Sequence, residues 1–384
     1  MIDIKNYFKE LSFIKKIRKN KWKRYSRRMM FNKKELNRAI NNPNLLKKIV
    51  NDHINRNKYI DESIIHDLDN VVTKSYISSI EGVDIDRIKL DMLFYYFAYG
   101  FTFNEYLCYD FYYKDFNSRM KFCSDRDSVY VNYELNDISD LYIFNDKMLT
   151  YETFKYYFKR EAISLVADND YIKYKEFKDK NNIFVKKEVD KACGESVELV
   201  DSSNIEDDIA LFKRLISNGK VIIEQLIYQG RETSLFNDSS VNTVRCITVS
   251  NNDEVETPYF FMKIGRKGKF VDNGGAGGIL VGIDPSKGYL CTDGVDEYGN
   301  RYKYHPDSKV EFRGYQLPKW DQLVNMCKEM ALTVPTVKMI GWDLAYTINN
   351  EWILVEGNSS TEFIGPQSTF LLGIRDDINN FINP

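Results

Sequence analysis

The residues best placed to do chemistry lie in Met339–Asn358, MIGWDLAYTINNEWILVEGN. Two apolar runs flank Asn349–Asn350, and asparagine tolerates the positive φ that a tight hairpin turn demands. With those two residues as the loop, Ile348 faces Glu351, and counting outward sets Asp343 opposite Glu356. Asn358 shares that face because strand side chains alternate. Two carboxylates opposed across a hairpin repel each other. A hard divalent cation with oxygen ligands resolves the conflict, and Mg²⁺ that carries nucleotide phosphates uses only one or two protein carboxylates. On this reading the metal-free face is a weak point, so Asp343→Asn and Glu356→Gln leave the free protein as stable as before or slightly more so. The alternative is a hairpin base at which both acids face solvent. Against it stands the apolar character of both strands, where unpaired charge is disfavoured.

Positioning such a face requires a sheet. After about residue 140 strand-like runs appear at Ile183–Val189, Val221–Ile227, Val244–Val249, Tyr259–Ile264 and Trp352–Glu356. Helical stretches separate some of them, among them Tyr151–Lys159, Ile205–Ser217 and Trp320–Leu332. Strands mixed with helices without a regular βα repeat predict an α+β catalytic region rather than a doubly wound sheet. Residues 50–140 are mainly helical in pattern, with few glycines and aromatic clusters such as Phe94–Tyr99. The texture changes near residue 140, so a helical region over 1–140 is expected before the mixed part.

Composition removes several function classes. The formal charge of −2 over 384 residues gives no chain-wide reason to expect a nucleic-acid partner. Six cysteines lie far apart with no CxxC pair, and three histidines cannot complete a zinc site at recognised spacing. Reduced, mostly buried thiols in a cytoplasmic protein are expected. The longest apolar run, Met92–Phe103, is too short to span a bilayer and reads as a buried element. Met1–Lys48 is rich in Lys and Arg, and Phe8, Leu11, Ile14 and Ile17 recur in it at helical spacing. That pattern fits either a solvated helix packed on the protein or a basic helix in peripheral contact with an anionic membrane.

An Asp, about a dozen residues, then Glu-x-Asn resembles the metal-binding close of the ATP-grasp superfamily. Three further stretches, SVNTVRCITV at Ser240–Val249, VDNGGAGGI at Val271–Ile279 and IGWDLAYT at Ile340–Thr347, are similar to the sugar-transfer-associated ATP-grasp family. The resemblance spans roughly residues 140 to 365. It implies an ATP-grasp fold using ATP and Mg²⁺, with a lid and nucleotide subdomain over 141–228 and a C-terminal catalytic subdomain with an antiparallel sheet over 229–384. In it Lys147, in NDK, and Lys186, in FVKK, are phosphate contacts, and CGES with Gly194 forms a lid loop whose N–H groups cradle anionic oxygens. Glu224, Gln225 and Ile227 belong to the hinge strand that holds adenine. Glu232 falls at the ribose, and Lys263 is a further phosphate lysine. Asp343, Glu356 and Asn358 take the metal positions. Relatives such as D-alanine–D-alanine ligases carry an Arg two residues before the metal Asp, where this chain has Gly341. Arg245, in NTVR, is the expected substitute.

The implied chemistry is activation of a carboxylate by Mg·ATP to an acyl phosphate, which an amine then attacks. Its demands are mostly electrostatic. The substrates are small-molecule carboxylates and amines, in polysaccharide or related biosynthesis, with the loop from Asp272 to Gly278 as their binding place. Two alternatives remain open. One is ATP-dependent phosphotransfer to a hydroxyl with Asp272 as the base; the other is a non-catalytic binding module tethered through the basic start.

Overall fold

The structure, a computed structural model, describes residues 16–17, 20–21, 31, 33–40, 42–56, 62–188, 197–251, 254–270, 272 and 277–383. Most of the expected basic helix, the CGES loop with Gly194, and Gly274 and Gly275 lie outside the described residues.

The first described unit is helical. Asp84 caps the helix Ile85–Tyr99 by accepting from Arg87 N, and Gly100, at φ 76°, ends it while donating to Tyr95 O and Tyr96 O. Thr102 and Glu105 then form a capping box that starts the helix Phe103–Cys108. The apolar run around residues 92–103 is buried, as expected. Phe94, Phe97, Phe101, Tyr106 and Phe111 interlock there with Phe31 and residues of the helices Pro43–Arg56 and Glu62–Lys74. Many of these rings meet edge to face, the favoured geometry for aromatic pairs. Among the described residues no helix is long and apolar enough to cross a membrane.

Two antiparallel sheets follow. The smaller has the order β1-β4-β2-β3, with β1 at Ala162–Leu165, β2 at Ile183–Glu188, β3 at Val197–Asp201 and β4 at Val221–Gln225. Helices Tyr171–Lys180 and Asp208–Ile216 cover one face of it, burying Phe184, Val200, Val221 and Ile223 against Tyr174, Phe177 and Phe212. The larger sheet is built from β5 (Thr243–Asn251), β6 (Glu254–Ile264), β7 (Ile279–Gly282), β8 (Gly294–Val295), β9 (Arg301–Tyr302), β10 (Met339–Tyr346) and β11 (Trp352–Asn358). Their order is β11-β10-β5-β6-β7-β8-β9, with β11 at one edge.

Alternation sorts the large sheet into two faces. Val244, Cys246, Phe260, Met262, Trp342 and Leu344 pack under the helix Trp320–Thr333. Thr243, Arg245, Lys263 and Asp343 occupy the other face, because each is offset by one residue from that core set. The helix Lys147–Phe158 packs on the core side near β11, with the Phe154 ring 5.1 Å from that of Trp342. Ile222 of the small sheet joins the same core, so the two sheets share packed side chains. The α+β class and the helical start thus match the sequence reading.

The β10–β11 hairpin differs in detail from the count made on the sequence. Tyr346 pairs with Trp352, and Thr347 N donates to Glu351 O at 3.0 Å. The loop is therefore the three residues Ile348–Asn350, closed by Asn350 N donating to Thr347 O at 3.0 Å, with Asn350 at φ 57°. A type I turn followed by a left-handed residue matches the strand twist, and asparagine supplies that last position. The longer loop would offset the strands by one, but the register shifts back between Asp343 and Leu344. Val355 is the extra residue, and Asp343 faces Glu356 as expected.

Candidate active site

Asp343 is the centre of the site. It is 3 % exposed, and its carboxylate is gripped side-on by Arg245, with Nε donating to Oδ1 at 2.5 Å and Nη2 to Oδ2 at 2.6 Å. Lys263 Nζ donates to Oδ2 at 2.9 Å. Burial by itself would raise the carboxyl, but the charges of Arg245 and Lys263 outweigh it and hold Asp343 at about 2. The expected weak point of two opposed acids is thus corrected: Asp343 is neutralised by two cations. The strand pairing explains it, since Asp343 sits between Glu356 on one side and Arg245 on the other.

Glu356, by contrast, is exposed. Asn358 lies between it and the guanidinium. Its amide donates to Glu356 Oε1 at 3.3 Å and accepts from Arg245 Nη2 at 3.2 Å in the orientation that satisfies both neighbours. Gly341 makes room for this arrangement. A Cβ there would lie 3.1 Å from Arg245 Cδ, 3.2 Å from Arg245 Nη1 and 2.7 Å from Thr361 Oγ1. The guanidinium from β5 therefore lies over the backbone of β10 where a side chain at 341 would stand.

Asp272 borders this cluster. Its Oδ2 accepts from Thr243 N at 3.0 Å and from Thr243 Oγ1 at 2.6 Å. Burial raises its carboxyl above the usual range despite the nearby Lys263. Arg245, Lys263, Asp272, Asp343, Glu356 and Asn358 are therefore brought together on one face.

The remaining candidates lie on the small sheet and at its junction with the large one. Glu224 is 7 % exposed at the end of β4, where its Oε2 accepts from Arg160 Nη2 at 2.8 Å and Lys187 Nζ at 2.9 Å. Burial is again outweighed, here by Lys187 and Arg160, and the carboxyl is held at about 2. Its Oε1 has no hydrogen-bond partner among the described residues. Gln225 is exposed and Ile227 half-buried in the segment that follows. That segment runs along the hairpin turn, with Ile348 N donating to Tyr228 O at 3.0 Å and Gly230 N to Tyr346 O at 2.8 Å. Glu232 opens the next short helix, its carboxylate close to Gly230 and Tyr346.

Lys147 stands at the start of its helix, behind the capping Asp146, and donates from Nζ to Glu188 O at 3.0 Å. It thus ties that helix to the last residue of β2. Lys186 is the candidate that the structure places elsewhere. It shares a face with buried Phe184 and Ile223, toward the helix Asp208–Ile216, with Glu198 Oε2 3.7 Å from its ammonium. The next residue, Lys187, is on the opposite face with Glu224, and that is the side from which Ile222 joins the large-sheet core. Strand alternation from the buried Phe184 carried the signal for Lys187. Arg160, an isolated arginine before β1, had none.

Among the described residues no group of three or more His, Cys, Asp or Glu forms a metal cage. The oxygen set here is two carboxylates and an amide. Cys108, Cys123, Cys246 and Cys327 are buried free thiols, and Cys291 is half-buried.

No curated protein matches the chain. Solved structures that resemble it include the ATP-grasp ligase PsnB with precursor peptide PsnA2 and AMPPNP, 12% identical, covering 67% of this chain and 68% of that one, TM-score 0.40. Another is the D-alanine-D-alanine ligase from Coxiella burnetii, 12% identical over 62% of this chain and 56% of that one, TM-score 0.39. A third is N5-carboxyaminoimidazole synthetase from Staphylococcus aureus with ADP, 12% identical over 62% and 53%, TM-score 0.40. Residues 133–381, well over half of the chain, match the family described as sugar-transfer associated ATP-grasp, and the chain belongs to that family.

Proposed function

We propose that the chain is an ATP-dependent ligase that activates a small-molecule carboxylate for attack by an amine. One observation carries the reading: Arg245 and Lys263 converge on Asp343, with Glu356 and Asn358 beside it, on a single sheet face. Two fixed cations among oxygen ligands suit a triphosphate whose charge must be neutralised where it reacts. Membership of an ATP-grasp family supports ATP as the phosphoryl donor.

Adenine belongs at the end of β4, where the open Oε1 of Glu224 can accept from its exocyclic amine and the backbone of Gln225 to Ile227 can read its edge. Glu232 is assigned to the ribose. Lys147, Lys187 and Lys263 are assigned to the phosphates, together with the loop that includes Gly194. Lys187 takes the role first given to Lys186, because it shares the face of Glu224. The oxygen-only set of Asp343, Glu356 and Asn358 fits a hard cation, and Glu356, exposed, has the freer of the two carboxylates. Bound there, Mg²⁺ would supply charge neutralisation to the β- and γ-phosphate oxygens.

In the first step an oxygen of the substrate carboxylate attacks the γ-phosphorus, forming the acyl phosphate as the bond to ADP breaks. Arg245, held by Asp343, is oriented to receive the transferred phosphoryl group. In the second step the amine attacks the acyl carbon and inorganic phosphate leaves. The amine's proton goes to a base, for which Asp272, its carboxyl raised by burial, is the candidate.

The test is ADP release by the full chain with Mg·ATP against a panel of carboxylates and amines, with products identified by mass spectrometry. ADP and an amide, each requiring both acid and amine, are expected. A phosphoester in place of the amide would transfer the assignment to hydroxyl phosphorylation. Absence of any Mg-dependent nucleotide binding would overturn both.

A further inference from the structure

Arg160 belongs to none of the motifs that resemble the family, yet its side chain holds a carboxylate and three backbone carbonyls. It lies between the helix Lys147–Phe158 and β1 and is 8 % exposed. From one edge, Nη2 and Nε donate to Glu224 Oε2 at 2.8 and 3.2 Å. From the other, Nη1 donates to Leu354 O at 2.5 Å and Phe158 O at 3.4 Å, while Nη2 also reaches Val355 O at 3.3 Å. The Phe158 ring lies 4.7 Å from its central carbon. A planar guanidinium with five N–H groups is the side chain able to hold a carboxylate and backbone carbonyls at once.

Its two ends lie in different sheets. Glu224 is in the small sheet, at the end of β4. Leu354 and Val355 are in β11, the edge strand of the large sheet, whose outer carbonyls face no further strand. Val355 is also the surplus residue that brings Glu356 opposite Asp343. One buried side chain therefore joins the carboxylate assigned to the base of the nucleotide to the backbone immediately before the exposed acid of the phosphate site.

The geometry points to Arg160 as a positioning residue that couples occupancy of the base pocket to the setting of Glu356. The inference rests on the ligase reading above and deepens it. When a base engages Glu224 Oε1, the opposite oxygen keeps Arg160 in place, and Arg160 holds the bulge so that Glu356 stays paired with Asp343. Lysine at 160 would retain the charge but lose the fork that spans both carbonyls.

The experiment is calorimetric titration of AMPPNP into the full chain with and without Mg²⁺, for wild type, Arg160→Lys and Arg160→Gln. Lys187 continues to neutralise Glu224 in both variants, so loss of the fold in one leaves the other to decide. In wild type Mg²⁺ should tighten AMPPNP binding. Couplings between linked sites commonly amount to about 5- to 150-fold. The variants should keep the Mg-free Kd within about threefold and lose roughly tenfold of the Mg-dependent tightening. A merely structural role lowers melting temperature, or weakens both affinities equally, and leaves their ratio unchanged. An unchanged ratio in a folded variant overturns the inference. Failure of wild type to bind AMPPNP in either condition instead overturns the ligase reading, and this inference falls with it.

Discussion

Asp343→Asn separates the reading of the sequence from that of the structure, because the two give opposite signs. If the acid faced only Glu356, removing its charge would relieve repulsion. In the structure it balances two cations, the buried Lys263 and the half-buried Arg245. A carboxyl drawn from 3.8 to about 2 corresponds to roughly 2–3 kcal/mol in favour of the charged form, at about 1.4 kcal/mol per pH unit. Removing one partner of a buried ion pair commonly costs about 3–5 kcal/mol, and asparagine keeps the shape and one acceptor. A loss of about 2–4 kcal/mol at pH 7 follows. A unit of this size loses about 2–4 °C of Tm per kcal/mol, so calorimetry should show the midpoint fall by roughly 4–16 °C. The sign of the pH dependence is fixed as well. Because the folded carboxyl is depressed, its contribution is complete above about pH 4 and lost as pH falls through about 2. The gap between wild type and variant should therefore narrow in acid. Glu356→Gln is the control, since an exposed acid with one amide contact should change stability by no more than about 0.5 kcal/mol. An Asp343→Asn protein that melts at or above the wild-type midpoint at pH 7 would refute the ion-pair argument.

Three further outcomes are expected. Gly341→Ala puts a methyl within 3.1–3.2 Å of the Arg245 side chain and 2.7 Å from Thr361 Oγ1; it should cost about 1–3 kcal/mol and slow ADP release, whereas unchanged turnover would mean that Arg245 need not lie over β10. Lys187→Met should weaken AMPPNP binding about tenfold, and Lys186→Met should leave it within about threefold; calorimetry giving the reverse order would restore Lys186 to the phosphates. Glu105 is buried at the capping box of the helix Phe103–Cys108, and burial pushes its carboxyl up to about 8. Since the folded state holds that proton more tightly, its contribution is present below about pH 4.5 and lost as pH rises through 8. Glu105→Gln, which keeps an acceptor for Thr102 N, should therefore gain Tm relative to wild type between pH 5 and 9, and parallel melting profiles would show that Glu105 is not the group concerned.

Local pattern carried the site a long way. The apolar runs and their turn placed Asp343, Glu356 and Asn358 together, a count that holds because the third loop residue and the extra Val355 cancel. NTVR brought in Arg245 only through the family resemblance, as the substitute for an arginine absent at Gly341. Three things stayed out of reach. The partners of Asp343 come from β5 and β6, and which strand lies beside β10 is a matter of sheet order that no local spacing states. The choice between Lys186 and Lys187 depended on taking Phe184 as the buried reference residue rather than matching letters to a motif. Arg160 depends on two sheets meeting, so it is visible only once both are folded.

The hairpin also obeys a parity. The residues between Asp343 and Glu356, 344–355, are even in number, so an odd loop leaves one residue over, and here it is housed at Val355. A two-residue turn would need no such defect, but it would slide Trp352 and Leu354 to the opposite face, away from the core they now fill. The greasy half of the hairpin thus selects the longer turn, and the defect acts as a dislocation that lets the two halves of β11 follow different rules. Its outer half obeys the core and its inner half obeys the acids. Deleting Val355 would leave a three-residue loop and an even remainder between the acids, so the dislocation would vanish while Asp343 still faced Glu356 and the core stayed intact. The protein so made should fold normally, keep Asp343 and Glu356 face to face, and lose only the Val355 carbonyl to which Arg160 donates.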